Sequence, residues 1–136
     1  SKKNISFTTK IDSIKDVIIE ADPFQLKEVF SNILNNACDA VSVEDGKIEI
    51  IGVKEGQPYE RFITVRVNDN GVGIHKEDLE KVFNPFFTTK AKGTGLGLSV
   101  CRQIIDMHGG LIGIESAIGK GTSVMVRLPE SKEKRD

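Results

Sequence analysis

The sequence predicts an α+β fold of two layers, a mixed and mostly antiparallel sheet with helices on one face, and three observations carry that prediction. Leu26, Phe30, Ile33, Ala37 and Val41 recur at helical spacing, a stripe that a helix must bury against something. Two pairs of strand-like runs, each joined by a turn containing glycine, read as hairpins. Between them Leu98, Val100, Cys101, Ile104, Ile105 and Met107 repeat the helical period. One-sided helices beside strands bury their apolar faces by stacking as layers.

Composition sets the bounds. The chain has 136 residues, Lys+Arg 19 against Asp+Glu 20, a formal net charge of −1 and 38% hydrophobic residues. That describes one globular domain with enough chain to bury a core. A domain built to grip nucleic-acid phosphates carries a marked basic excess, so DNA and RNA are not expected partners. No apolar run reaches the length of a membrane span, so the fragment itself is expected to be soluble. Cys38 and Cys101 lie in helical segments without metal-ligand or C-x-x-C spacing, and read as reduced thiols.

Taken in order, Ile5 to Ile11 alternates apolar with polar residues and Val17-Ile18-Ile19 is β-branched, so both read as strands. Asp22-Pro23 then opens a helix: Asp22 caps it, Pro23 suits its first position, and Gln25 completes a capping box. The stripe carries this helix to about Ser42. Lys47 to Val53 and Arg61 to Val67 form a hairpin about Glu55-Gly56-Gln57-Pro58. A short helix is expected over Lys76 to Phe83, then a long connection without period from Asn84 to about Gly97, read as a candidate lid. The helix after it stops at Gly109-Gly110, with His108 in its last turn favourable to the dipole. Leu111 to Glu115 and Ser123 to Leu128 close the sheet. Residues 1–129 form the domain, and 130–136 a charged tail.

Three segments carry candidate chemistry. Glu28, Asn32 and Asn36 follow i, i+4, i+8 spacing and share a helix face, which either presents oxygens to a hard cation such as Mg²⁺ or is a solvated polar face. Asp69-Asn70-Gly71-Val72-Gly73 is a turn in which the glycines would let backbone approach a flat ligand. The Asp69 carboxylate there could accept from an exocyclic amine, favouring adenine over guanine. Gly93-Thr94-Gly95-Leu96-Gly97-Leu98 runs straight into a helix, which makes an anion site for phosphates or else a flexible linker. Lys90 and Lys92 just before it could supply positive charge to a triphosphate.

In this order the segments resemble the ATP-binding catalytic domain of sensor histidine kinases, within the group that includes gyrase, Hsp90 and MutL. Asn32 to Ala37 resembles the family's N box, Asp69 to Gly73 its G1 box, Phe83 to Phe87 its F box, Gly93 to Leu98 its G2 box, and Gly119 to Thr122 its final glycine turn. Phe86-Phe87-Thr88-Thr89-Lys90 is similar to the nitrogen-regulator and sporulation-kinase subgroup. The resemblance spans Asp22 to Pro129 and implies the Bergerat form of the two-layer α/β sandwich, with ATP and Mg²⁺ as ligands.

The resemblance further implies that Asn36 ligates Mg²⁺, Asn32 contacts phosphates or their waters, and Asp69 binds the adenine amino group with Thr122 assisting. Gly71, Gly73 and Ile74 belong to the base pocket, and Gly93, Thr94, Gly95, Leu96, Gly97 and Leu98 to the phosphate lid, which Phe86 anchors or releases. Two departures stand out. Many members carry a basic residue three positions after the Mg²⁺ ligand, where this chain has Asp39, so Lys90 or Lys92 is expected to replace it, Lys90 as a catalytic residue beside Asn32 and Asn36. Neither His75 nor His108 stands in the phosphoacceptor setting. The acceptor histidine is therefore expected on a dimerisation domain outside this chain, with a response regulator downstream and the isolated fragment monomeric. The alternatives are a serine-directed anti-sigma-type kinase of the same fold and an ATP-sensing interaction module; Asn32, where gyrase-type ATPases usually have Glu, argues against a hydrolase.

Overall fold

The computed structural model describes residues 2–87 and 97–132. In chain order it contains β1 (Ile5–Lys10), a 3₁₀ turn (Asp12–Ile14), α1 (Pro23–Ala40), β2 (Gly46–Gln57), β3 (Glu60–Asp69), the one-turn α2 (Lys76–Leu79), α3 (Gly97–Met107), β4 (Leu111–Ala117) and β5 (Gly121–Pro129). The strands form one five-stranded sheet in the order β1-β2-β3-β5-β4. Only β1 and β2 run parallel; the other neighbours are antiparallel.

Strand periodicity decides which face is buried. Val65 pairs with Gly52 and Val126, Val67 with Ile50 and Val124, and Ile112 with Val126, so the apolar residues of four strands align on one face. Val29, Ile33 and Ala37 of α1 and Cys101, Ile104 and Ile105 of α3 complete the core against it. Val29, outside the stripe read from the sequence, is fully buried there. Two layers with the helices on one side are thus the observed architecture.

Asp22 caps α1 as its residue type demands, its carboxylate accepting the N–H groups of Phe24 (2.9 Å) and Gln25 (3.1 Å). The reciprocal bond from Gln25 that a capping box requires is replaced: the Asp22 N–H donates to His108 Nε2 at 3.0 Å. At the C-terminal end of α3, the N–H of Gly109 reaches the Asp106 carbonyl and that of Gly110 the Ile105 carbonyl, a Schellman stop.

Three expected elements differ. Val17–Ile19 is not a strand and pairs with none of the five. The segment packs Val17 and Ile19 on the core, and the Ile18 carbonyl accepts one bond, from the Ser131 N–H. The helix expected to reach Phe83 stops at Leu79, since Lys81 and Asn84 donate to the third residue before each and continue as turns. The hairpin strands extend through Gln57 and from Glu60, so the connection is Pro58-Tyr59, and Glu55 to Gln57 belong to β2.

Candidate functional site

The strand period that buries Ile63, Val65 and Val67 carries Asp69 to the same helix-facing side at the end of β3. Register then places Thr122 of β5 opposite Asp69, and Ser116 of β4 opposite Thr122. One row across the sheet therefore ends the apolar face with three polar side chains. Above it, residues of α1 and the first residues of α3 close a cavity of about 430 Å³, a size suited to a small-molecule ligand. Its walls include Asn32, Asn35, Asn36, Asp39 and Ala40 of α1, Asp69, Val72, Gly73 and Ile74 around the end of β3, Gly97 and Leu98 of α3, Phe87, and Thr122 of β5.

Asp69 Oδ1 accepts the N–H groups of Gly71 (2.8 Å) and Thr122 (3.3 Å). Burial nevertheless raises its carboxyl pKa above the usual 3.8, the two N–H bonds opposing that shift. The neighbouring Asn70 is structural: its amide accepts from the Lys47 N–H at 2.7 Å and donates to the Asp45 carbonyl at 3.0 Å, tying the loop to the start of β2.

The two glycines of this loop are required by the protein's own backbone. A Cβ on Gly71 would stand 2.6 Å from the Ala40 carbonyl oxygen, where α1 ends and Val72 N–H donates. Gly73 has φ +81, and a Cβ there would lie 2.0 Å from the Ala117 carbonyl oxygen. Both glycines seat the loop against α1 and β4. Gly73 also lines the cavity, whereas Gly71 is buried behind it.

Asn32 is oriented from α3. Its Nδ2 contacts the fully buried Cys101 Sγ at 3.8 Å, and Sγ lies 3.7 Å from the Val29 carbonyl. Burial pushes the Cys101 thiol pKa up, so the proton stays and is given to Val29; only sulfur lone pairs face Asn32. Asn32 therefore presents its nitrogen to sulfur and turns its carbonyl oxygen the other way. Glu28, expected to share this ligand face, is exposed and off the cavity wall.

The structure brings together Asn32, Asn36, Asp69, Gly73, Ile74, Gly97, Leu98 and Thr122 around one cavity. Phe86 is off its wall, 76% exposed with φ +68, and Phe87 takes the place at the cavity. Lys90, Lys92, Gly93, Thr94, Gly95 and Leu96 lie outside the described residues. Sequence reasoning missed Ser116, whose hydroxyl contacts Thr122 Oγ1 at 2.7 Å and accepts the Ile74 N–H at 2.9 Å. An Ile-x-Ser continuation of β4 on its buried face was the available signal.

A helix bearing cavity-facing asparagines above a sheet that ends in a half-buried carboxylate defines a nucleotide-binding domain of the two-layer ATPase type. The chain belongs to the histidine kinase-, DNA gyrase B- and HSP90-like ATPase family, whose model matches residues 21–132. It is 41% identical over 118 residues to the sensor histidine kinase ZraS of Klebsiella oxytoca, covering 87% of this chain and 25% of that protein. To sporulation kinase B of Bacillus subtilis it is 35% identical over 124 residues, covering 91% of this chain and 28% of that protein. Among solved structures, a nucleotide-free catalytic domain of histidine kinase ThkA superposes with a TM-score of 0.78 at 40% identity, covering 93% of this chain and 80% of the other. Within the family, the chain is an ATP-binding catalytic domain of the histidine kinase type. It spans about a quarter of the length of the curated kinases it matches.

Proposed function

We propose that this domain holds Mg²⁺-ATP in the cavity between α1, α3 and the sheet end, and passes the γ-phosphoryl group to a histidine on a separate dimerisation domain of the same parent protein. The observation that carries the reading is the polarity of one cavity: amides of α1 on one wall, the Asp69 carboxylate and Thr122 hydroxyl on the other. Asp69 Oδ1 is engaged by two backbone N–H groups, which leaves Oδ2 to accept from the adenine amino group. Asn32 and Asn36 stand one turn apart and offer amide oxygens toward the phosphates.

The donor set fits Mg²⁺ that arrives with nucleotide. Among the described residues no group of three His, Cys, Asp or Glu could hold a metal alone, and a single amide oxygen plus phosphate oxygens and waters suits that ion. Asn36 would hold it, and it would neutralise charge on the phosphates during transfer. Gly97 and Leu98 of α3 line the same space, and backbone N–H groups at that end of a helix would suit phosphate oxygens. Asp39 lines the wall where a cation is common in the family, so we assign Lys90, with Lys92 beside it, to that charge.

Catalysis here is positioning: the chain orients the phosphates while an external imidazole nitrogen bonds to Pγ, the Pγ–O bond to the β-phosphate breaks, and ADP leaves. His108 is unsuited as acceptor because its Nδ1 bonds the Ile104 carbonyl (2.8 Å) and its Nε2 the Asp22 N–H. Use of ATP places the domain in the cytoplasm, where a response regulator receives the phosphoryl group from the dimerisation domain. Among the described residues no helix is long and apolar enough to cross a membrane.

The test is calorimetric titration with ATP and with GTP in the presence of Mg²⁺, followed by addition of the parent's helical domain and [γ-³²P]ATP. Preference for ATP with label on the added histidine is the expected result. Label on His75 or His108 of the domain alone, or tight binding without any transfer, overturns the kinase reading.

A further inference from the structure

Ser116 stands behind the cavity wall, and its three hydrogen-bond contacts determine where the proton of Thr122 goes. Its Oγ lies 2.9 Å from the Ile74 nitrogen, 2.9 Å from the Gly121 carbonyl oxygen and 2.7 Å from Thr122 Oγ1. A hydroxyl has one proton and two lone pairs. The Ile74 N–H must donate, which uses one lone pair. A carbonyl can only accept, so the Ser116 proton belongs to Gly121. The remaining lone pair receives a proton from Thr122. The reverse assignment, Ser116 donating to Thr122, would leave two oxygens 2.9 Å apart with no proton between them.

We propose that Ser116 is a specificity-determining positioning residue, which withdraws the Thr122 proton from the cavity and so makes Thr122 Oγ1 an acceptor toward the bound base. Thr122 lines the cavity and Ser116 does not. With Asp69 ionised, both side chains at the sheet end then offer only lone pairs. Such a pair accepts from an exocyclic amine and repels a carbonyl in the same place, and a site built this way discriminates strongly between the two. The inference rests on the adenine reading above and assigns it a second residue and a direction of proton donation.

The experiment compares dissociation constants for ATP and for inosine triphosphate, which carries a carbonyl where adenine has its amine. Ser116→Ala frees the Thr122 proton to donate to that carbonyl, so the ATP-over-inosine ratio should fall about tenfold, the size of one hydrogen bond gained or lost. Ser116→Thr keeps the hydroxyl and should restore the ratio. In a Thr122→Val background Ser116→Ala should change the ratio no further. A folded Ser116→Ala protein with the wild-type ratio overturns the proposal. Should that variant fail to fold, Thr122→Val alone decides: an unchanged ratio overturns it, a lowered one supports it. A wild-type domain that does not prefer ATP would instead overturn the adenine reading itself.

Discussion

His108 accepts the backbone N–H of Asp22 through Nε2 at 3.0 Å, so the residue that follows α3 holds the residue that caps α1. Its Nδ1 bonds the Ile104 carbonyl at 2.8 Å, which fixes the proton on Nδ1 and leaves Nε2 as the acceptor. The imidazole therefore joins the two helices that flank the cavity, one at its start and one at its end. His108→Ala should remove both bonds and lower stability by about 1 kcal/mol, the usual net worth of such contacts. Urea unfolding with an unchanged slope is the measurement; an unaltered midpoint would show that the bridge contributes nothing.

Asp69→Asn separates folding from binding. Asn can still accept the Gly71 and Thr122 N–H groups through its oxygen, but it carries no buried charge. The Asp69 pKa is raised by burial, so its proton is held more tightly in the folded than in the unfolded chain. The sign follows: that contribution to stability is full below the unfolded pKa and is lost as pH rises through the folded one, which leaves a cost at neutral pH. Asp69→Asn should thus match or exceed wild-type thermal stability at pH 7, with the difference shrinking on acidification. ATP affinity should fall by about tenfold or more, because a charged acceptor is lost. In wild type, affinity should weaken as pH drops through the raised pKa.

Much of this site was legible in the sequence because its residues act close to their own elements. Asp22 and Pro23 announce α1, the asparagines share its face by period, and Asp69 follows from counting along β3. What escaped depends on pairings far apart in the chain. Ser116 becomes part of the site only once β4 and β5 are in register, and His108 meets Asp22 across 86 positions. Val17–Ile19 has strand composition, yet it joins no ladder of the sheet and packs on the core instead. The sequence assigns Gly71 and Gly73 to a ligand, whereas in the fold their immediate neighbours are the carbonyls of Ala40 and Ala117.

The two cysteines should differ in reactivity. Cys101 is fully buried, its thiol held protonated by desolvation, whereas Cys38 is half-buried on α1. The thiolate is the nucleophile, so iodoacetamide should label Cys38 first and reach Cys101 only on unfolding. Peptide mapping after timed alkylation checks the order. Equal rates would contradict the packing of Cys101 between Asn32 and Val29.

Gly73→Ala should be among the more damaging single changes in the domain. Its φ of +81 disfavours any side chain, and the new Cβ would stand 2.0 Å from the Ala117 carbonyl oxygen, so the loop must move away from the β4–β5 turn. That turn now accepts nothing softer: Gly119 N–H donates to the Val72 carbonyl at 2.9 Å, and Ile74 N–H to Ser116. A loss of about 3 kcal/mol is expected, together with loss of ATP binding, measured by denaturation and calorimetry.

Lys3 ties the chain before β1 to the end of the helix that carries Asn32 and Asn36. Its Nζ donates to the carbonyls of Cys38 (3.0 Å), Asp39 (3.1 Å) and Val41 (2.9 Å), three acceptors at the C-terminal end of α1. Orphan carbonyls and the negative end of the helix dipole both favour a cation there, and α1 has no basic residue of its own in its last turn. Lys3→Met keeps the aliphatic stem and removes the charge and all three bonds, so about 1 kcal/mol should be lost. Lys3→Arg, still cationic, should retain part of it. Because Ala40 and Asp39 line the cavity, fraying of this turn should also weaken nucleotide binding. Hydrogen exchange at the last turn of α1 reports the first effect and titration with ATP the second. Unchanged protection in Lys3→Met would mean that the backbone bond from Val41 N–H to the Ala37 carbonyl suffices to end the helix.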